Sequence, residues 1–513
     1  MNAPLILGVS ASLRNARSKR GSDDLVGQIS TLVDREALNE FIDEQANIHV
    51  EQFLEAGRSE GLPFDELYLR LRKMGGHRGL SNSEVCLAAA LWAAKNQGCD
   101  IENIALHDHF PADGEARDLD DLKERVMRAD GILLSSPVYF GDRSSLSQNF
   151  IELLRGDPEL REAMKAKIYA GLAVGAKRNG GQETTLIYQM LDFLNLGALA
   201  VGNDSETTSQ YGGTAHAGDI GTVVADKYGI DTSLGTGRRI ARVAKQMKSA
   251  EEVRLRDKPI LNFWSLQDSG GQLGKWMQPL LDSAKPNADI IQCDLLSQPI
   301  RPCLACDICP IHVGPDQEYR CIIKRKSDGV VAAHQDLLSG DVIVPAVFSP
   351  VDRQGLETAY QEFMERSRYL RRGDYVFTDR LVAPLVIEEV GANENLDIRL
   401  MTSFIRHHTV MMKPIIGLIY EDKLINEAEV LQGMADAVAA GAKLAAGRLA
   451  MASLNDESVR YNPVGYVLSR EKDNDPITMN QRAKSSDERM TRLGAEAKTR
   501  LETQQPDEKF IAS

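Results

Sequence analysis

What the sequence lacks narrows its functions before any motif is read. Aromatic residues make up only 6% of the 513 positions. No apolar run approaches the roughly 20 residues needed to span a membrane. There is no basic excess, because 60 Lys and Arg stand against 74 Asp and Glu, a formal net charge of -14. That balance argues against nucleic acid or an anionic membrane surface as the main partner. The opening MNAPLILGVSAS has neither a basic leader nor a long apolar region, so it reads as a first strand, and a cytoplasmic location is expected. Cysteine is scarce and odd in number, seven in all, which does not suit a disulfide scaffold in a chain this large. What is present, 43% hydrophobic and 26% charged residues, is an ordinary soluble globular composition. The length exceeds what one core fills, so two or more domains are expected.

The chain is organised around 129–154, ADGILLSSPVYFGDRSSLSQNFIELL. Ile132 to Leu134 is a wholly apolar run, as in a strand buried on both faces of a parallel sheet. Ser135-Ser136-Pro137 is expected to stop it, and helical spacing resumes from Ser144. This places Pro137, Val138, Tyr139, Phe140 and Gly141 at the carboxyl end of a strand, where open α/β sheets bind ligands. Tyr139 and Phe140 can lie against a flat ring while backbone N–H groups meet its polar rim.

Around this stretch, strands and helices alternate as in a doubly wound parallel sheet. Leu5 to Val9 leads into Ser10, Ser12 and Arg14, whose hydroxyls, N–H groups and charge can cradle a phosphate. A polar, helically spaced insert over 17–78 separates this loop from Ser81, Asn82 and Ser83, which open a helix and serve as its cap or as the second half of the phosphate loop. Ile168 to Val174 leads into a glycine-rich loop with Gly180 and Gly181. The charged run 248–258 reads as a domain boundary, giving domains at 1–250 and 257–452 and a polar tail over 453–513 with a helix near 484–503. The second half coarsely repeats the first: Val342 to Val347 enters Ser349-Pro350-Val351-Asp352, with Asp352 in the place of Tyr139.

Four cysteines cluster in the second half. Cys303, Cys306 and Cys309 follow C-x2-C-x2-C spacing, and Cys321 lies further on. Such a set suits a [4Fe–4S] cluster. Zinc, or no metal, are the alternatives.

Together these residues resemble the NADPH-dependent FMN reductase-like family in its iron–sulfur flavoprotein branch. The resemblance rests on Ser10, Ser12, Arg14, Ser81–Ser83, Pro137–Gly141 and Gly180–Glu183 in the first half, and on the cysteines in the second. Where the family's cysteines should sit, the first half has HDHFPADGEARDLDD, without cysteine. The resemblance implies two flavodoxin-like domains in tandem, a fused pseudo-dimer, with FMN in the first and a [4Fe–4S] cluster in the second. It also implies NAD(P)H as electron donor and a small-molecule or protein electron acceptor, with self-association left open. The expected function is an FMN-dependent NAD(P)H oxidoreductase passing electrons between flavin and cluster. The alternatives are a quinone, azo or nitro reductase with a structural cysteine loop, and an electron carrier without its own small substrate. No side chain is singled out as catalytic, since flavin chemistry does not demand an acid or base.

Overall fold

The computed structural model describes residues 3–14, 25–57, 62–63, 65–66, 69, 79–112, 114–165, 167–204, 206–207, 209–306, 308–309, 318–371, 376–460 and 476–503. Of the expected insert, the helices Leu25–Ser30 and Arg35–Gly57 are described. Residues 17–24 and most of 58–78 lie outside the described residues. The chain divides into two compact units, Asn2–Ala244 and Lys245–Ser513.

The first unit carries six strands: β1 (Leu5–Ser10), β2 (Asp100–Ala105), β3 (Gly131–Pro137), β4 (Ile168–Gly175), β5 (Leu199–Ala200) and β6 (Gly213–His216). They run parallel in the order β2-β1-β3-β4, with β5 and β6 both pairing β4 along its length. Most apolar residues of β1, β3 and β4 are buried, and Ile6, Leu7, Ile132, Leu133, Leu134 and Leu172 fully so. Helices cover both faces of such a sheet, which is why these strands read as continuous apolar runs.

The central strand differs from expectation. It runs on through Ser135 and Ser136 to Pro137. Serine is tolerated there because each hydroxyl is bonded: Ser135 Oγ donates to Ser83 O at 2.8 Å, and Ser136 Oγ accepts from Ser144 N at 3.1 Å. Buried polar groups with partners carry little penalty.

The second unit contains β7 (Val253–Leu255), β8 (Ile260–Ser269), β9 (Asp289–Asp294), β10 (Val342–Ser349), β11 (Leu356–Thr358), β12 (Leu381–Val382), β13 (Leu385–Glu389), β14 (Val410–Met411), β15 (Ile415–Tyr420), β16 (Lys423–Leu424) and β17 (Leu501–Thr503). Its parallel core has the order β9-β8-β10, then β12 and β13 along β10, then β14 and β15. Pro384, which has no N–H to donate, separates β12 from β13. The helix Pro476–Arg500 buries Met490, Leu493 and Ala497 in a cluster with Leu449, Met451 and Ala452. It continues into β17, which pairs antiparallel with β7. Among the described residues, no helix is long and apolar enough to cross a membrane.

Candidate functional site

At the carboxyl edge of the first sheet, β1 ends in the 10–14 loop. Ala11 N donates to Ser135 O at 2.9 Å, which fixes the loop beside β3. Ser10 and Ser12 are buried, and the Ser10 hydroxyl has no partner among the described residues. Ser12 Oγ accepts the Arg14 N–H at 3.3 Å, and Arg14 itself is exposed. Ser135, through its bond to Ser83 O, brings the start of the helix Asn82–Asn96 to the same place.

Two of the three residues at that helix start have structural work for their side chains. Ser81 forms a capping box with Glu84: Ser81 N donates to Glu84 Oε2 at 2.8 Å, and Glu84 N donates to Ser81 Oγ at 3.4 Å. Asn82 donates from Nδ2 to Asp219 O at 3.0 Å and accepts at Oδ1 from Val223 N at 3.4 Å. What the helix start offers a ligand is therefore its free first-turn N–H groups and dipole.

The aromatic loop is a tight hairpin turn. Tyr139 N donates to Asp142 O at 2.8 Å and Asp142 N returns a bond to Tyr139 O at 3.0 Å. Phe140 has φ 53° and Gly141 φ 81°, the pair of left-handed conformations that a two-residue hairpin favours. Phenylalanine is a poor choice for that backbone, and strain of this kind concentrates at functional sites. Phe140 is fully exposed and Tyr139 is 58% exposed, so the strand tip presents two rings to solvent. Behind the turn, Ser144 caps the next helix and donates its hydroxyl to Ala11 O at 2.9 Å. A cavity of about 240 Å³ lies between the two loops, lined by Ala11, Leu13, Pro137, Tyr139, Arg143 and Ser144.

The third loop closes against the second. A Cβ built on Gly181 would come 2.6 Å from Gly141 Cα. Gln182 braces the loop by accepting from Gly180 N at 2.7 Å and donating to Lys177 O at 2.8 Å and Ala215 O at 3.0 Å. Arg143 and Ser144 were not among the sequence candidates. Arg143 is mostly buried and pairs with Asp192, while Ser144 could have been found from the cap signal ahead of the helix LSQNF.

The matching edge of the second unit is differently furnished. Ser349 Oγ donates to Glu394 Oε2 at 2.7 Å and Gln267 Nε2 donates to the same oxygen at 2.9 Å. Arg353 pairs with the other Glu394 oxygen, and Val351 N donates to Glu389 Oε2 at 2.7 Å. Burial pushes the Glu394 carboxyl up, but the bonds from Ser349, Arg353 and Gln267 outweigh it and hold the group below the usual carboxylate range. The donors that could meet a ligand anion are occupied by the unit's own carboxylates.

The four clustered cysteines are not gathered into a ligand set. Among the described residues, no three His, Cys, Asp or Glu side chains are placed to hold one metal ion. Cys306 is exposed, and Cys303, Cys309 and Cys321 are partly buried. Cys303 Sγ accepts the Ala305 N–H at 3.4 Å, with Ala305 at φ 48°. Tyr319, two residues before Cys321, donates its hydroxyl to Ile323 O at 2.6 Å. Cys86 lies in the core of the first unit, where burial pushes its thiol up to about 12.

The family model for NADPH-dependent FMN reductase matches residues 74–211, the span that holds the helix start, the aromatic turn and the glycine loop. An iron-sulfur flavoprotein of Methanocaldococcus jannaschii is 32% identical over 188 residues, covering 34% of this chain and 96% of that protein. The chain belongs to the NADPH-dependent FMN reductase-like family. An NAD(P)H dehydrogenase (quinone) of Caulobacter vibrioides, 30% identical over 184 residues, covers 31% of this chain and 90% of its own. An iron-sulfur flavoprotein of Methanosarcina thermophila is 31% identical over 148 residues, covering 26% of this chain and 75% of that protein. As a member of the FMN reductase-like family, the protein is a flavin-dependent oxidoreductase of flavodoxin-like α/β fold.

Proposed function

We propose that the protein is an FMN-dependent NAD(P)H reductase of the quinone type, with its flavin at the carboxyl edge of the first unit. The observation that carries this reading is the meeting of the turn Tyr139–Asp142 with Gly181, where two exposed rings stand beside a cavity and a phosphate-type loop. The residues present suit FMN. The unpartnered Ser10 hydroxyl, Ser12, Arg14 and the first-turn N–H groups at Asn82 and Ser83 would hold the phosphate. Val138 to Gly141 would lie along the ring, with Gly180 and Gly181 closing the far side. FMN, when bound, supplies hydride acceptance from NAD(P)H and onward electron release. The chain's own part is to bind, to orient the acceptor on Tyr139 and Phe140, and to keep water from the ring by closing the glycine loop.

The shared strand order of the two units supports a tandem duplication whose halves have diverged. In that reading the second unit has filled its ligand edge with Glu389 and Glu394. An electron relay through the cysteine loop draws support from the names of two relatives, but the loop as arranged gives it no ligand set. The reading therefore rests on the flavin alone. Reconstitution with FMN followed by NADPH oxidation with a benzoquinone tests it: turnover that falls in Tyr139→Ala supports the proposal, and a flavin-loaded protein inert towards every quinone would overturn it.

A further inference from the structure

His107 is a buried histidine whose ring reaches across to the phosphate-type loop. It lies in the short helix Leu106–His109, which follows β2 at the carboxyl edge of the first unit's sheet, and it is 3% exposed. Nδ1 stands 3.2 Å from Ser12 O in the 10–14 loop. A carbonyl oxygen only accepts, so Nδ1 carries the ring proton and donates it. Nε2 has no hydrogen-bond partner among the described residues, and Asp108 Oδ1 stands 3.5 Å from it, too far for a bond. The one hydrogen bond of this ring among the described residues is therefore to the Ser12 carbonyl.

Ser144 treats the neighbouring carbonyl in the same way, its hydroxyl donating to Ala11 O at 2.9 Å. In a planar trans peptide the C=O and the following N–H point in opposite directions. Holding Ala11 O on Ser144 and Ser12 O on His107 thus turns the N–H groups of Ser12 and Leu13 away from those side chains. Neither of these N–H groups has a partner among the described residues, whereas Ala11 N donates to Ser135 O at 2.9 Å and Arg14 N to Ser12 Oγ at 3.3 Å. Successive unpaired N–H groups are what an anion-binding concavity is made of. We propose that His107 is a positioning residue for the phosphate of FMN, which keeps the Leu13 N–H for the anion by holding the Ser12 carbonyl away from it. The inference rests on the reading that flavin binds at this edge. Without that bond the Ser12–Leu13 peptide is free to turn its carbonyl oxygen toward the phosphate, where it repels instead of attracting. Packing does not prevent the turn, because Leu13 is 38% exposed.

The test compares FMN with riboflavin, which has the same ring and no phosphate, by quenching of flavin fluorescence in the full-length protein stripped of flavin. The parent should prefer FMN. His107→Leu, which keeps bulk and loses the donor, should weaken FMN about tenfold or more, the worth of a hydrogen bond to a charged group, and leave riboflavin where it was. His107→Asn, whose Nδ2 takes the place of Nδ1, should keep most of the preference. A general loss of stability weakens both flavins alike, so the ratio reads the phosphate. Should the variants fail to fold, nitrogen NMR of the histidine-labelled parent decides: His107 should carry its proton on Nδ1, and its signals should move more with FMN than with riboflavin. A parent without preference for FMN would overturn the flavin reading at this loop and this inference with it. A parent that prefers FMN, with the preference unchanged in His107→Leu or with the His107 proton on Nε2, would leave the flavin reading standing and overturn the role of His107.

Discussion

Gly181 rests against Gly141 so closely that a Cβ at 181 would stand 2.6 Å from the Gly141 Cα and 3.3 Å from the Val138 side chain. Gly181 also has φ 99° and is the residue before the helix Gln182–Asn195. Gly181→Ala therefore meets a steric and a conformational objection together. The backbone part alone is worth about 1 kcal/mol, and the clash adds to it. At Gly141, φ is 81° but nothing lies within 4 Å of a Cβ, so Gly141→Ala should show the conformational part only. Thermal unfolding and flavin content of the two variants separate these effects. A Gly181→Ala protein no less stable and no less yellow than Gly141→Ala would mean the two loops do not meet.

The turn offers a trade between stability and activity. Phe140 in a left-handed conformation costs about 1–2 kcal/mol, which Phe140→Gly should recover as a higher Tm. The same change removes a fully exposed ring from the proposed acceptor face, so KM for a quinone should rise. Tyr139→Ala should weaken FMN a few-fold to about tenfold, the worth of one aromatic contact. Asp352→Ala, at the corresponding turn of the second unit, should leave flavin affinity unchanged.

Strand positions and the three loops of the first unit were legible because buried parallel strands write themselves as apolar runs, as Ile132–Leu134 does. The clustering of Ser10–Arg14 with Ser83 was legible as two halves of a loop, though nothing local shows that Ser81 and Asn82 give their side chains to Glu84, Asp219 and Val223. Those are long-range or capping bonds, and residue type fits either role. The run of β3 through Ser135 and Ser136 was hidden for the same reason: whether a buried hydroxyl is affordable depends on partners 52 and 8 residues away. In the second unit, the loss of the aromatic residue at 352 was visible, whereas the occupation of that edge by Glu394 was not. Its bonds come from Ser349, Arg353 and Gln267, spread over 127 residues.

The cysteine loop gives a clean chemical outcome. A plain flavin reductase, prepared without oxygen, should contain well under the four iron and four sulfide per chain that a [4Fe–4S] cluster requires. Cys306→Ser should leave quinone reduction and Tm unchanged. Four iron with four sulfide, lost in Cys306→Ser, would instead establish the relay, and stoichiometric zinc would make the loop a structural site.

Glu394→Ala should strand the Ser349 hydroxyl and one of the two Gln267 N–H donors, while Arg353 is half exposed and turns to solvent. Leaving a buried donor unpaired costs about 1–3 kcal/mol, so the midpoint of urea unfolding should fall while bound FMN per chain stays the same. A parallel loss of flavin would place the cofactor in the second unit.

Acid should release the C-terminal helix before it unfolds the sheet. Asp341 is buried, which by itself would raise its carboxyl, but the Arg500 bonds and the charges of Arg500 and Arg448 prevail and hold it below the ordinary 3.8. A depressed folded pKa stabilises fully above the unfolded value and is lost as pH falls through the folded one. The contact between Asp341 and Arg500 should thus be intact at pH 5 and weaken below about pH 4. Asp341→Asn removes the charge at every pH. Because Arg500 keeps Asp257 and Glu496, the loss should be moderate, about 1–3 kcal/mol. Hydrogen exchange of 476–500 at pH 7 and pH 3.5 checks both statements. Corrected for the intrinsic rate at each pH, protection should be lower in the variant than in the parent at pH 7, and in the parent it should begin to fall only as pH drops below the ordinary carboxylate value. Equal protection of that helix in parent and variant at pH 7 would show that the pair does not hold it.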